Sequence, residues 1–174
     1  MALKKGQLTI PEVLKFARHD FLNELQIVLM NIDLGNVSHA KKTILRITEG
    51  MNNHAKLGTL RLPKTEEWII TFDWMFTAFL KSLTCNITAS ILEVDDDKLV
   101  ACLNRIFLDA EKVLNPISEY EAHFDIQASE YDWSIKISVS GLLPEKGIEL
   151  KTDENLVVEE TNSHNLWTFT IRGR

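Results

Sequence analysis

The chain has few of the residues that mark secreted or zinc-binding proteins. Its 174 residues include 2 cysteines, 4 prolines and 7 glycines. Cys85 and Cys102 lie in apolar patterns without the CxxC or Cys/His spacing of a zinc site. We therefore expect two buried free thiols in a reducing compartment and no structural zinc.

Long apolar runs and an excess of positive charge are also missing. No run of about 18 apolar residues occurs, and residues 1–5 are not followed by the apolar core of a signal peptide. The formal net charge is -6, whereas nucleic acids and anionic membranes attract clustered Lys and Arg. The sequence therefore predicts a soluble, cytoplasmic protein whose partners are neither nucleic acid nor membrane.

The apolar residues that are present follow two periodicities. They make up 45% of the chain, enough for a real core. Up to Pro63 they recur every three to four positions, and beyond it they mostly alternate. We predict an α+β protein with a helical hairpin over residues 1–63 and an α+β domain over residues 64–174.

The hairpin is predicted from helix start and stop signals. Thr9 can cap a first helix that runs to about Leu34, where Gly35-Asn36 breaks it. Ser38 can cap a second helix toward Leu57. A hairpin this long cannot cover its own apolar stripes, so we predict a homodimer that forms a four-helix bundle. The alternative is that the stripes pack on the second half of the same chain.

One histidine stands opposite the apolar stripe of the first helix. His19 lies about 140° around the helix from that stripe, so it should stand in solvent. The stripe comprises Leu14, Phe21, Leu25, Val28 and Ile32, with Leu22 and Leu29 beside it. Lys15, Asn23, Gln26 and Met30 share the side of His19 and form a strip suited to docking a partner protein.

This arrangement suits a phosphorylated histidine. Neutral imidazole offers one ring nitrogen as nucleophile while the other carries the proton. Asp20 is a candidate to orient the ring, and Arg18 is a candidate to offset the charge of an arriving phosphoryl group. The simpler reading of an isolated His-Asp pair is two solvated surface residues.

The second half is predicted to combine strands with helices. Alternation predicts strands over residues 83–90, 124–128, 133–140 and 167–171, with further strands over Glu67–Phe72 and Leu156–Glu160. Helical spacing predicts helices over residues 99–114 and Asp73–Lys81. Residues 95–97 are three aspartates, which the dipole of the following helix explains more simply than a metal site does.

Several of these features together resemble the sporulation initiation phosphotransferase B family of spore-forming bacilli. Similar hairpins with a His-Asp-Phe motif also occur in sensor histidine kinases of the citrate and dicarboxylate type, so the motif leaves phosphotransferase and kinase open. The resemblance is close over the hairpin and extends to the order of elements in the second domain. The residues that carry it are Arg18-His19-Asp20, Asn23, Leu25-Gln26, Gly35 at the break between the helices, and Leu62-Pro63 at the end of the hairpin.

The resemblance implies a dimeric bundle with one phosphorylatable histidine per copy, matched by His19. A small α/β-sandwich domain resembling a degenerate histidine-kinase ATPase domain would follow. The family receives a phosphoryl group from a single-domain response regulator and passes it to a second regulator, a transcription factor that commits the cell to sporulation. The aspartates and Mg²⁺ belong to those partners, so no cofactor or metal is expected in this chain.

Three other functions are weighed against this one. A kinase of this type needs an Asn-rich helix and a Gly-rich loop for nucleotide, whereas this chain has Asp109 in the helix and Ser140-Gly141-Leu142 after the strand. A metal phosphohydrolase built on His19 and Asp20 needs further converging ligands, and the other histidines have no common spacing: His39, His54, His123 and His164. A non-catalytic dimeric interaction module remains the third alternative.

Overall fold

A computed structural model describes residues 8–91, 94–144, 147–148, 156–163 and 165–173. The chain divides into two compact units, Met1–Asn52 and Asn53–Arg174. A helical hairpin is followed by a mixed sheet with helices, so the predicted α+β class is confirmed. Within the described ranges, no helix combines the length and apolar character needed to cross a membrane.

The first helix, α1 (Ile10–Asp33), begins as the sequence predicts. Both the N–H and the Oγ1 of Thr9 donate to Glu12 Oε2, at 2.8 and 2.7 Å, and Pro11 occupies the first turn. After α1, Gly35 takes a positive φ of 72°, which L residues with a Cβ rarely adopt. The predicted break between the helices is therefore confirmed.

The second helix, α2 (Val37–Leu57), begins one residue before the predicted cap, Ser38. The carbonyl of Asn36 accepts the first helical hydrogen bonds, so the helix starts directly after it. Most of the apolar stripe of α1 is exposed in a single copy of the chain, although Val28 is buried. Burial of the whole stripe thus needs a surface beyond this one hairpin.

The last turns of α2 belong to the second unit, which begins before the predicted boundary at Pro63. Asn53 Nδ2 donates to the carbonyl of Leu83 at 2.8 Å, and Lys56 Nζ donates to that of Cys85 at 3.3 Å. These two side chains satisfy carbonyls along a strand at the edge of the sheet. Such cover protects an edge strand from pairing with other chains.

The second unit is a five-stranded sheet with helices packed on one face. Its strands are β1 (Phe79–Ile87), β2 (Tyr120–Ala128), β3 (Trp133–Ser140), β4 (Leu156–Ser163) and β5 (Leu166–Gly173). The order is β1-β2-β3-β5-β4, with β1 parallel to β2 and the other pairs antiparallel. The predicted alternation is confirmed for β2, β3 and β5, whose apolar residues are buried on one face.

Two helices complete this unit, and they correct two sequence predictions. The helix α3 (Pro63–Met75) covers Glu67–Phe72, which was predicted to be a strand. The predicted helix over Asp73–Lys81 is also wrong, because α3 ends at Met75 and β1 begins at Phe79. The buried residues Thr65, Trp68, Ile69 and Phe72 recur at helical spacing, and this packing overrides the strand propensity of the segment.

The second helix of this unit, α4 (Asp96–Val113), was predicted close to its observed bounds. Its buried face includes Cys102, and β1 buries Cys85, so both cysteines are free and buried as predicted. Burial raises the pKa of the Cys85 thiol to about 11. This thiol is therefore protonated and unreactive at neutral pH.

The three aspartates at the start of α4 connect the first turns of α3 and α4. Asp95 caps α4 by accepting from two backbone N–H groups. Asp96 accepts from the N–H groups of Lys64 and Thr65, at 2.8 and 3.0 Å, and from Thr65 Oγ1 at 2.6 Å. Asp97 pairs with Lys64 Nζ at 2.6 Å. The expected role at a helix start is confirmed, with the addition that Asp96 caps α3.

Replacing Asp96 with alanine should lower the free energy of unfolding by about 1–2 kcal/mol, because the first turn of α3 loses its acceptor. Urea denaturation followed by tryptophan fluorescence measures this change. The matched control is Asp97→Ala, which removes only an exposed ion pair and should have little effect. Equal destabilisation by both variants would contradict the capping role of Asp96.

A half-buried histidine makes the stability of the second unit depend on pH. Burial lowers the pKa of His54, and the nearby charge of Lys81 lowers it further, while Asp73 opposes the shift. Lys81 is held by the carbonyls of Ile69 and Ile70, at 2.8 and 3.1 Å, and by Asp73 at 3.0 Å. Protonated His54 would therefore face an immobile positive charge.

Lowering the pH below about 6.5, the ordinary pKa of histidine, should cost stability through His54. The unfolded chain binds this proton first, so the contribution of His54 is present above that pH and is lost as the pH falls toward the lower folded-state pKa. Urea denaturation at pH 7.5 and 5.5 should show a smaller loss for His54→Gln than for the wild type. Identical losses would contradict this account.

Candidate functional site

His19 lies in the middle of α1 with 68% of its side chain exposed, as its helical position predicts. The residues around it are exposed as well, so the ring is open to a partner molecule. Exposure alone fits a surface histidine. Two side-chain contacts to its ring distinguish His19 from an isolated surface histidine.

Two side chains meet the same nitrogen of the His19 ring. Asp20 Oδ1 lies 3.1 Å from Nδ1, and Asn23 Nδ2 lies 3.3 Å from it. A carboxylate only accepts hydrogen bonds, so Asp20 favours the tautomer in which Nδ1 carries the proton. In that tautomer the lone pair is on Nε2, which is then the nitrogen able to act as a nucleophile.

The contact with Asn23 was missed by sequence reasoning, which assigned this residue to the docking strip. The sequence signal for this contact is that Asn23 lies four residues after His19, because residues at i and i+4 are neighbours on one helix face. The amide donates to Nδ1 in the other tautomer. Asp20 and Asn23 together therefore hold the ring whichever nitrogen carries the proton.

The remaining predicted residues are all exposed on α1. Arg18 precedes His19, and successive helical side chains point about 100° apart. Lys15 lies one turn before His19, and Gln26 and Met30 lie two and three turns after it. The helix therefore keeps Lys15, Gln26 and Met30 on the side of His19, as the spacing predicts.

Two other titratable residues weighed from the sequence make contacts within the second unit. Asp109 Oδ1 accepts from Lys112 Nζ at 2.6 Å, and His123 Nδ1 lies 2.8 Å from Ser82 Oγ on neighbouring strands. His164 lies outside the described residues. Among the residues that are described, no group of three His, Cys, Asp or Glu side chains is placed to hold a metal ion.

Comparison with known proteins relates the hairpin to sensor kinases. Residues 5–60 match the family described as "Sensor_kinase_SpoOB-type, alpha-helical domain". No curated protein sequence matches the chain at a significant level.

Two solved histidine kinases are similar in structure. Histidine kinase ThkA, solved in complex with response regulator protein TrrA, is 10% identical with a TM-score of 0.48, over 93% of this chain and 60% of that chain. This chain thus spans 60% of the length of that kinase. Acinetobacter baumannii histidine kinase AdeS is 13% identical with a TM-score of 0.38, over 89% of this chain and 96% of that chain.

The resemblance inferred from the residues around His19 is confirmed for the helical segment. The matched residues 5–60 include α1, α2 and the exposed His19. Residues 5–60 are therefore similar to the alpha-helical domain of SpoOB-type sensor kinases.

Proposed function

We propose that this chain is a phosphorelay phosphotransferase that takes a phosphoryl group from one response regulator on His19 and passes it to another. The observation that carries the proposal is the exposed imidazole with Nδ1 held 3.1 Å from the Asp20 carboxylate. The family match of the hairpin supports a role in two-component signalling. By the same resemblance, the pathway is sporulation initiation, and the partners are a single-domain regulator and a transcription factor.

The transfer step uses Nε2 of His19 as nucleophile. Its lone pair attacks the phosphorus of the partner's aspartyl phosphate, the P–N bond forms, and the P–O bond breaks so that the carboxylate leaves with the electron pair. The ring gains positive charge in this step, and Asp20 stabilises that charge or accepts the proton of Nδ1. Arg18 offsets the charge of the phosphoryl oxygens. Passing the group to the second regulator reverses these events.

Most of the catalytic effect would come from positioning, because phosphoryl transfer depends chiefly on alignment and charge neutralisation. Lys15, Asn23, Gln26 and Met30 would receive the partner along α1. The Mg²⁺ that the aspartyl phosphate requires would belong to the response regulator. The chain itself would need no cofactor for this reaction.

A homodimer is part of the proposal, because one copy of the hairpin leaves apolar residues of both helices exposed. Pairing two hairpins would remove these residues from water, and contiguous exposed apolar surface usually marks an interface. They include Leu14, Phe21, Leu25, Leu29 and Ile32 on α1, and Val37, Ile44, Leu45 and Met51 on α2. Analytical ultracentrifugation tests this part directly.

The second unit gives reasons to favour transfer over autophosphorylation from ATP. Asp109, at the position where such a kinase would hold Mg²⁺, is engaged by Lys112 at 2.6 Å. Gly141 has a φ of 136°, and a Cβ there would meet the Tyr120 ring at 2.8 Å. Packing against Tyr120 thus accounts for this glycine without a nucleotide. These two contacts support phosphoryl transfer between regulators rather than the use of ATP.

The deciding experiment offers the purified chain two radiolabelled donors in separate reactions. One is ATP, and the other is a single-domain response regulator from the source organism, phosphorylated with labelled acetyl phosphate and freed of excess reagent. We expect label from the regulator only. Label from ATP would instead favour a sensor-kinase fragment, and label from neither would favour a non-catalytic dimeric interaction module.

A further inference from the structure

A phosphorylated His19 would have a single ring nitrogen left to carry a proton. Once Nε2 is bonded to phosphorus, only Nδ1 can gain or lose a proton, and both Asp20 and Asn23 contact this nitrogen, at 3.1 and 3.3 Å. The Asp20 carboxylate can only accept a hydrogen bond, so it favours Nδ1 with a proton. The amide nitrogen of Asn23 can only donate one, so it favours Nδ1 without a proton. The two neighbours therefore act on the phosphorylated ring in opposite directions.

The proton on Nδ1 determines how long a phosphohistidine survives in water. In hydrolysis, the oxygen of a water molecule bonds to phosphorus, the P–N bond breaks with its electron pair left on Nε2, and the water gives up a proton to the solvent. A ring with a proton on Nδ1 leaves as neutral imidazole, whereas a ring without that proton must leave as an anion and is a much poorer leaving group. Loss of the Nδ1 proton therefore protects the phosphohistidine.

The position of His19 on α1 leaves a phosphoryl group open to water. The side chain is 68% exposed, so water reaches the ring whenever no partner covers it. His19 points away from α2, because Glu24, which pairs with Arg46 of that helix, lies about 140° around α1 from His19. The charged residues nearest to His19 along α1 are Lys15, Arg18 and Asp20. The groups that act on Nδ1 therefore come from α1 itself.

We propose that Asn23 is a positioning residue that protects the phosphohistidine between the two transfers, because its amide donates to Nδ1 and stabilises the ring without a proton there. This inference rests on the proposed phosphotransferase function, since a relay must keep its phosphoryl group until the second regulator arrives. Asp20 stabilises the proton that the ring needs in order to release the group. The balance of the two contacts sets the pH above which phosphorylated His19 loses its Nδ1 proton, and below that pH the proton lies beside Asp20.

The test compares phosphorylated His19 in the wild type, Asn23→Ala and Asn23→Asp. Alanine removes the donor, and aspartate replaces the amide with a group of similar shape that only accepts. The matched control is Asn31→Ala, about three turns further along α1, where the amide donates to the carbonyl of Ile27 at 2.8 Å. Phosphoramidate, a small phosphoryl donor, phosphorylates each chain without a partner. Heteronuclear NMR with ¹⁵N-histidine then follows Nδ1 of phosphorylated His19 from pH 6 to 10, together with the rate at which the phosphoryl group is lost.

Asn23→Ala should raise the pH at which Nδ1 loses its proton by about 0.5 pH unit, because the bare nitrogen no longer accepts a hydrogen bond from the amide. Above that pH, the lifetime of the phosphohistidine should shorten by about 3-fold, since the fraction of rings that carry the proton rises in proportion. Asn23→Asp should shift both quantities further in the same direction. Asn31→Ala should match the wild type in both.

Two results would overturn the role of Asn23. One is an Asn23→Ala chain that titrates and hydrolyses like the wild type, or that keeps its phosphoryl group longer. The other is an Asn31→Ala chain that shifts as much as Asn23→Ala. Failure of the proposed function is recognised separately, by a wild-type chain that takes no phosphate from the phosphorylated regulator, because the titration of chains treated with phosphoramidate does not depend on that partner.

Discussion

Replacing His19 with alanine is expected to abolish phosphoryl uptake from a response regulator. The variant lacks the only atom proposed to bond phosphorus, so the rate should fall by at least about three orders of magnitude. The side chain is 68% exposed, so the free energy of unfolding should change by no more than about 0.5 kcal/mol. Radiolabel transfer and urea denaturation of the same preparation measure the two quantities.

The matched control for this prediction is His39→Ala. His39 is another exposed histidine of the hairpin, near the start of α2, and it should accept phosphate neither before nor after the change. Its replacement should leave the rate of uptake unaltered. Retention of label by His19→Ala, or loss of its folding or association, would contradict the assignment of His19 as an exposed acceptor.

Replacing Phe72 with alanine is expected to have the largest effect on stability, about 3–5 kcal/mol. Phe72 is fully buried at the centre of an aromatic cluster in the second unit. Its ring centroid lies within 6.1 Å of those of five others: Trp68, Phe76, Phe79, Phe107 and Phe124. Removing the ring leaves a cavity and removes contacts with both helices and two strands. Urea denaturation measures the loss.

A second variant keeps this prediction testable if Phe72→Ala does not fold. Phe72→Leu retains most of the apolar volume and should lose clearly less stability than the alanine variant. Tyr131→Ala is the exposed aromatic control, because Tyr131 is 93% exposed, and it should change stability by no more than about 0.5 kcal/mol. A Phe72→Ala protein as stable as this control would contradict the central position of the ring.

Local signals in the sequence were sufficient to predict features that depend on a single helix or strand. The cap at Thr9, the break at Gly35 and the alternation along β2, β3 and β5 each predict what the structure contains. The class of the fold follows from these elements. The exposure of His19 follows from the 3.6-residue period of α1 alone.

The sequence was not sufficient to predict structural features that depend on packing between segments distant in the chain. Glu67–Phe72 is rich in residues that suit strands, and only its burial against α4 and the sheet makes it part of α3. The capping of α3 by Asp96 joins residues about thirty positions apart. The parallel pairing of β1 with β2 likewise depends on α4 crossing between them. The capping contact and the parallel pairing leave no periodic trace in their own segments.

The residues of the candidate site could be selected from the sequence, but their hydrogen bonds could not. His19, Asp20 and Asn23 were all selected from the sequence, yet adjacent helical positions diverge, so the contact between His19 and Asp20 depends on rotamers. The contact of Asn23 with His19 Nδ1, the nitrogen that Asp20 also contacts, depends on side-chain rotamers as well. Helical geometry fixes which residues share a face, and side-chain torsions fix which atoms meet.

The central claim is that His19 accepts phosphate on Nε2 because Asp20 holds Nδ1. The most direct measurement is heteronuclear NMR of the chain labelled with ¹⁵N-histidine, after phosphorylation by the single-domain response regulator. We predict one phosphohistidine, with phosphorus coupled to Nε2 of His19 and the proton on Nδ1. Phosphate on Nδ1, or on any residue other than His19, would contradict the account.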